Sequence, residues 1–186
     1  VRPPDSYQAN DARRPIAGTN PTRAQAGLPD AGFVFCCFNS NYKITPEMFA
    51  IWMRLLERVP GSVLWLLEAN ALAHENLRRE AQRRGVAPDR LVFAPTLPAD
   101  EHLARHRLAD LFLDTRPVNA HTTASDALWA GLPVLTIPGA TFASRVAPTS
   151  RRWTTAPGAV SSSQRTLPGR RARMRIQAAK TSGSIL

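Results

Sequence analysis

Residues 119–126 bring an imidazole, three hydroxyl groups and a carboxylate together within one short segment. An apolar run at 111–113 precedes the segment, and a second apolar run begins at Val134. This order predicts a strand, a loop, a short helix whose first turn carries the hydroxyls and the carboxylate, and a further strand. The first turn of a helix presents unpaired N–H groups and the positive end of the helix dipole, which favour a phosphate. The segment therefore predicts an anion site, with an ordinary capped helix as the alternative.

Apolar strands alternate with amphipathic helices after a Pro-rich, polar lead-in that ends near Gly32. The strands are predicted at 33–38, 63–67, 91–93, 111–113 and 134–137, and the helices at 46–59, 71–84, 99–108 and from Thr122 onward. Thr45 and Pro46 mark the start of the first helix, and Gly131 is suited to the residue after the last one. Strands that are almost continuously apolar indicate a parallel sheet covered on both faces, an α/β fold of the Rossmann-like class.

Polar loops follow three of the predicted strands, at residues 39–43, 95–102 and 119–126. Ligands of parallel sheets collect beyond the carboxyl ends of the strands, so we expect the three loops to converge on one cleft. Loops between strands and helices are polar in most α/β proteins. The convergence therefore predicts a site without identifying its ligand.

Four side chains near these loops have suitable chemistry. Lys43 is the only lysine before residue 180, and its ammonium could offset the charge of a departing diphosphate; a solvated loop lysine is the alternative. His102 and Arg105 lie three residues apart on one predicted helix and face the same way, so they could hold a uracil ring or be ordinary surface residues. Asp126 falls in the predicted first turn of its helix, where a carboxylate stabilises the helix start.

Several motifs resemble the catalytic region of O-linked N-acetylglucosamine transferases, the SPINDLY-like glycosyltransferases. The motifs are residues 35–39, 42–44, 59–67, 108–115, 121–123, 126, 128–131, 138–139 and 143–147. The resemblance covers about residues 3–147. It implies the second Rossmann-like half of a two-domain, GT-B type glycosyltransferase. The implied donor is UDP-N-acetylglucosamine, the implied acceptors are Ser and Thr of proteins, and the implied reaction inverts the anomeric centre without a metal or another cofactor.

The resemblance also implies roles for residues near the donor phosphates. Lys43 and His121 are the implied catalytic residues: Lys43 stabilises the leaving phosphate, and His121 lies nearest the junction of sugar and phosphate. Thr122 and Thr123 stabilise the leaving diphosphate from the helix start. The full set of implied donor-binding residues is Ser40, Lys43, Leu97, Pro98, Ala99, His102, Arg105, His121, Thr122, Thr123 and Asp126.

The remaining implied contacts concern the nucleoside. His102 and Arg105 recognise the uridine, and the backbone of residues 97–99 reads the edge of the base. Asp126 holds the ribose hydroxyls. Neither Asp126 nor His121 is predicted to bind a metal, because no cluster of ligands at suitable spacing surrounds them.

Two positions depart from the family pattern. Ala99 stands where the family often has a lysine, so a contact from that side chain to the ribose or phosphate is lost. Ser40 replaces a longer amide that some members carry. We expect these two changes to weaken affinity for the donor and to leave the identity of the site unchanged.

The net charge of +10 is concentrated at the carboxyl end. Residues 1–147 carry sixteen Lys/Arg and fourteen Asp/Glu, whereas residues 148–186 carry eight Lys/Arg and no acid. We expect three parts: a lead-in at 1–32 from the missing first half, a nucleotide-sugar-binding domain at 33–147, and a disordered tail at 148–186. We interpret the tail as non-native, the product of a truncation or a shifted reading frame; an arm for RNA or anionic lipid is the alternative.

No apolar run reaches the length of a membrane span, and the first residues lack the apolar core of a signal peptide. Cys36 and Cys37 are neighbours on a predicted strand and point to opposite faces, so they make neither a metal site nor a disulfide framework. We expect a cytoplasmic protein without membrane partners, for which nucleic acid is an unlikely ligand.

The chain does not begin with Met, which is typical of a piece of a longer protein. We expect the first catalytic half and the tetratricopeptide repeats that bind the protein acceptor to lie outside this sequence, so that the chain binds a nucleotide without turnover. Two other functions stay open. One is a GT-B transferase with a small-molecule acceptor, and the other is a basic nucleic-acid-binding module that requires a native tail.

Overall fold

The computed structural model describes residues 11, 13–19 and 21–146. The predictions for the tail at 148–186 concern residues outside this range. Among the described residues, no helix has the length and apolar character that crossing a membrane requires.

Five parallel strands form one sheet, in the order β3-β2-β1-β4-β5. The strands are β1 (Val34–Cys37), β2 (Val63–Leu67), β3 (Leu91–Ala94), β4 (Leu111–Leu113) and β5 (Val134–Leu135). In the centre, Phe35 of β1 is in register with Leu64 on one side and Leu111 on the other. The predicted α/β class with a parallel sheet is therefore confirmed.

Four α-helices connect the strands: α1 (Pro46–Arg58), α2 (Ala71–Arg83), α3 (Ala99–Arg105) and α4 (Thr122–Trp129). The first helix begins as predicted, because the side chain of Thr45 accepts a hydrogen bond from the Met48 amide at 3.3 Å. The last helix also ends as predicted. Gly131 has a φ of 84°, and the amide of the next residue, Leu132, donates to the Ala127 carbonyl at 2.8 Å.

Two predicted elements extend two or more residues past the observed carboxyl-terminal end. The sequence pattern extends the fifth strand to Ile137, but β5 ends at Leu135 and Ile137 is 40% exposed. The predicted helix at 99–108 is α-helical only to Arg105 and continues as a 3₁₀ turn at His106–Leu108. In both cases the side-chain pattern continues beyond the observed end of the element, but the regular backbone hydrogen bonding stops. A pattern of side chains does not report where that bonding stops.

Two apolar cores lie on opposite faces of the sheet. One contains Cys36 with buried residues of α4, and the other contains Cys37 with the buried face of α1. The predicted opposite orientation of the two thiols is thus confirmed. The α1 face consists of Met48, Phe49, Trp52, Met53 and Leu56, which recur at the helical period. Helices on both faces leave the carboxyl edge of the sheet open for a ligand.

Candidate functional site

The strand order reverses between β1 and β4. The buried side-chain amide of Asn39 joins the loops that follow these two strands. Asn39 follows β1 and is 3% exposed. Its Nδ2 donates to Oγ1 of Thr115, beyond β4, at 2.9 Å. Its Oδ1 accepts a hydrogen bond from Oγ1 of Thr123 in the first turn of α4. One side chain therefore fixes the start of α4 against the switch point of the sheet, where ligands of this fold bind.

Asp114, directly after β4, holds the loop that leads into α4. Its Oδ1 accepts hydrogen bonds from the amides of Thr115 at 2.7 Å and Ala120 at 2.5 Å. Its Oδ2 accepts from Oγ1 of Thr136, beyond β5, at 2.6 Å. Burial raises the pKa of Asp114, and these hydrogen bonds oppose that rise. Sequence reasoning assigned this residue no role, although an acid that directly ends an apolar strand was a visible signal.

Lys43 ends a 3₁₀ turn, Asn41–Lys43, that follows β1. Its Nζ donates to the carbonyl oxygen of Asn119 at 3.3 Å, across a separation of 76 residues. The structure thus places the ammonium of Lys43 beside the loop that precedes α4, at the same edge of the sheet as Thr122. Ser40, before this turn, is exposed.

The first turn of α4 differs from the prediction in one respect. Asp126 was expected in that turn, but the helix begins at Thr122 and its first turn contains no acid. Asp126 lies in the second turn, because it is the fifth residue of a helix that begins at Thr122. His121 occupies the N-cap position and makes no side-chain capping hydrogen bond. No carboxylate therefore offsets the positive end of the helix dipole within its first turn.

A cavity of about 490 Å³ lies between α3 and α4 at the carboxyl edge of the sheet. It is lined by six of the predicted site residues: Leu97, Ala99, His102, Arg105, Thr123 and Asp126. The predicted site residues outside its lining are Ser40, Lys43, Pro98, His121 and Thr122. The cavity therefore contains most of the residues assigned to the nucleoside, with Pro98 as the exception, whereas most of those assigned to the phosphates lie outside its lining.

His102, which is half-buried, and Arg105, which is buried, form a pair on one wall of the cavity. Arg105 is only 1% exposed, its Nη1 donates to the Pro95 carbonyl at 2.5 Å, and its guanidinium lies 4.7 Å from the centre of the Phe38 ring. Its Nη2 contacts Nδ1 of His102. Because a guanidinium only donates, this Nδ1 is an acceptor and the imidazole proton is on Nε2. Burial and the adjacent cation lower the pKa of His102 to about 4, so the ring is neutral at pH 7.

His106 belongs to the same cluster, although no motif or spacing in the sequence pointed to it. It is fully buried, its Nδ1 lies 2.8 Å from the His102 carbonyl, and its ring meets that of Phe38 edge-on at 5.0 Å. Burial, together with His102, lowers the pKa of His106 to about 3. Both imidazoles are therefore held in their neutral form inside the fold.

Acidification should destabilise the protein through these two imidazoles. Their folded pKa values, about 4 and about 3, lie below the usual 6.5, so below pH 6.5 the unfolded chain binds protons that the folded chain does not. The free energy of unfolding should fall as the pH drops from about 6.5 toward 4. His106→Asn keeps a donor for the His102 carbonyl without titrating. It should remove about 1–2 kcal/mol of the loss between pH 7 and 5, measured by urea unfolding at each pH; identical pH profiles would contradict this.

The lead-in contributes a segment to the cavity that the sequence did not predict. We call residues 14–17 the strap. Arg14 and Pro15 line the cavity, and Nη1 of Arg14 forms an ion pair with Oδ1 of Asp126. The amide of Ala17 donates to the Asp100 carbonyl at 3.1 Å. The strap therefore bridges α4 and α3, the two helices that enclose the cavity.

An all-parallel sheet with a mainly apolar cavity at its carboxyl edge, lined also by His102, Arg105 and Asp126, defines a domain of the Rossmann-like class. The sequence profile of glycosyl transferase family 41 matches residues 7–167, and the chain belongs to that family. The expected family is thereby confirmed. The matched range extends past Ala147, so the similarity does not end at that residue as the motifs indicated. Residues 147–167 of the matched range lie outside the described structure.

Two glycosyltransferases from other organisms are similar to most of this chain. The probable UDP-N-acetylglucosamine–peptide N-acetylglucosaminyltransferase SEC of Arabidopsis thaliana is 41% identical over 152 residues, which are 79% of this chain and 16% of that protein. The UDP-N-acetylglucosamine–peptide N-acetylglucosaminyltransferase of Caenorhabditis elegans is 46% identical over 126 residues, 68% of this chain and 11% of that protein. The chain thus spans less than a fifth of the length of either relative.

A solved structure gives the same result for the fold. An O-GlcNAc transferase mutant from Thermobaculum terrenum matches with a TM-score of 0.61 and 32% identity, over 80% of this chain and 26% of that chain. The expected architecture, a Rossmann-like half of a GT-B type glycosyltransferase, is confirmed by this match. Among the residues that the structure describes, no group of three or more His, Cys, Asp or Glu is placed to hold a metal ion.

Proposed function

We propose that this domain binds UDP-N-acetylglucosamine and serves a glycosyltransferase that transfers N-acetylglucosamine to Ser or Thr of proteins. The observation that carries the proposal is the juxtaposition at one sheet edge of Lys43, the start of α4 and the cavity that contains His102 and Asp126. The names of the relatives support the choice of donor and of a peptide acceptor.

Uracil is the base that suits the cavity wall. The neutral ring of His102 has its proton on Nε2, so this atom can donate to a carbonyl oxygen of the base. Arg105 fixes the ring through Nδ1 and is itself held by the Pro95 carbonyl, which makes the donor rigid before a ligand arrives. Adenine has no carbonyl oxygen at all, so a donor at this position favours uracil.

The diphosphate is assigned to the space between Lys43 and the first turn of α4. Two sources of positive charge meet there, the ammonium and the amino end of the helix. Both would stabilise the negative charge that develops on UDP as the sugar leaves, so the proposed reaction needs no metal. A proton-accepting base for the acceptor hydroxyl is not assigned within this chain.

A cytoplasmic location is part of the same proposal. It is supported by Cys36 and Cys37, which are buried and present as free thiols. Buried free thiols are typical of proteins in reducing compartments.

Calorimetry with UDP, uridine and ADP tests the proposed ligand. We expect UDP to bind at least about tenfold more tightly than uridine, because uridine lacks the groups that a charge-assisted site holds. ADP carries the same diphosphate and should also bind more weakly, because it cannot accept the proton of His102. Equal affinity for UDP and uridine would contradict the phosphate site, and equal affinity for UDP and ADP would contradict base recognition. Transfer is tested by incubating the whole gene product with UDP-N-acetylglucosamine and a protein extract, followed by mass spectrometry of Ser and Thr.

A further inference from the structure

We propose that Arg14 is a specificity-determining residue of the nucleotide site, which positions Asp126 to accept the hydroxyl groups of the ribose. The inference rests on the proposed function, because it requires a nucleoside diphosphate in the cavity. It concerns a residue far from every motif of the site, since Arg14 and Asp126 are 112 positions apart in the chain.

Three contacts hold Arg14 against one face of α4. Its Nη1 pairs with Oδ1 of Asp126, its guanidinium lies 5.9 Å from the centre of the Trp129 ring, and its carbonyl accepts a hydrogen bond from Trp129 Nε1 at 3.2 Å. Asp126 and Trp129 are three residues apart on the helix and therefore lie on the same face. Both the backbone and the side chain of Arg14 are thus fixed, and the position of the guanidinium is set by the fold.

The pair leaves acceptor and donor capacity for a ligand. The Asp126 side chain is 13% exposed and that of Arg14 is 25% exposed, and both residues line the cavity. Arg14 uses Oδ1 of the carboxylate, and among the described residues no group bonds to Oδ2. An ionised carboxylate only accepts hydrogen bonds, and a ribose offers two hydroxyl donors side by side. The free oxygen therefore suits a vicinal diol.

The guanidinium of Arg14 also offsets the cost of partly burying the Asp126 carboxylate. A desolvated carboxylate without a partner is unfavourable, and an adjacent guanidinium offsets that penalty while it fixes the orientation of the group. Without Arg14, Asp126 would turn toward solvent or bind water in place of the sugar. Loss of Arg14 should then weaken the affinity for nucleotides that carry ribose hydroxyls and have little effect on the affinity for nucleotides that lack them.

The test compares UDP with 2′,3′-dideoxy-UDP by calorimetry. The wild-type protein should prefer UDP. Arg14→Ala should weaken UDP binding about tenfold, the effect of one charge-assisted hydrogen bond, and should leave the affinity for the dideoxy nucleotide nearly unchanged. Arg14→Lys, which keeps the charge without the planar fork, should retain part of the preference. The matched control is Arg13→Ala, since Arg13 is the exposed neighbour, and it should behave as wild type.

Several results would overturn the inference. Equal weakening of both nucleotides by Arg14→Ala would make its role structural, and tighter UDP binding would mean that Arg14 competes with the ribose for Asp126. If Arg14→Ala does not fold by circular dichroism, Arg14→Gln, which keeps most of the stem, carries the same prediction. A wild-type protein that binds no UDP would overturn the proposed function and this inference together. A wild-type protein that discriminates between the nucleotides, with variants that discriminate equally, would overturn the inference alone.

Discussion

Lys43→Ala should weaken UDP binding by roughly 1–3 kcal/mol and leave uridine binding unchanged, because the lost contact is charge-assisted and concerns only the phosphates. The ammonium lies 3.3 Å from the carbonyl oxygen of Asn119, in the loop that enters α4. A diphosphate at the helix start would lie within reach of this side chain. Removing the cation leaves the helix dipole as the remaining positive group, which is weaker and falls off within one turn. Calorimetry with both ligands measures the difference directly.

Arg54→Ala is the matched control for that experiment. Arg54 is an exposed cation on α1, so its removal changes the net charge by the same amount without touching the proposed site. If both variants weaken UDP binding equally, the effect of Lys43 is long-range attraction and the assigned contact is wrong. The two should also diverge with salt, because a contact in a partly enclosed site is screened less than a surface charge.

Local signals were sufficient to predict the fold from the sequence. Thr45 and Pro46 begin α1, and Gly131 ends α4 in a left-handed conformation that other residues adopt rarely. Continuous apolar runs gave the strands, and their alternation with helices gave the parallel order. Each of these features is decided by residues within a few positions of one another, which is why a sequence pattern is informative about them.

The site was predictable only in part, because its contacts join distant segments. Local spacing placed His102 and Arg105 on one helix face and left two interpretations open, a pair that holds a uracil ring or ordinary surface residues. It did not indicate that Arg105 is 1% exposed and held by Pro95. The pairing of Arg14 with Asp126 depends on how the lead-in crosses the finished domain. No periodicity or motif reports such a contact. Asp126 was expected in the first turn of its helix, but it is the fifth residue of α4, which begins at Thr122 as predicted, and so it lies in the second turn.

Asp114→Ala should lower the free energy of unfolding by roughly 2–5 kcal/mol, because it removes one acceptor group from three donors at once. Those donors are two backbone amides and the Thr136 hydroxyl, at 2.5–2.7 Å from the carboxylate. A buried amide without an acceptor is costly, and the loop between β4 and α4 would have to move to reach water. Urea unfolding measures the loss of stability.

The same variant should lose at least about tenfold in UDP affinity while it remains folded, since the loop that Asp114 holds sets the position of the first turn of α4. Thr136→Val is the matched control: it removes one hydroxyl donor and leaves both amide contacts of Asp114 in place. It should cost about 1 kcal/mol of stability and leave UDP affinity unchanged. An Asp114→Ala protein that is as stable as Thr136→Val would mean that the loop is held by other contacts. A destabilised protein with normal UDP affinity would separate the loop from the ligand and place the phosphates elsewhere along the sheet edge.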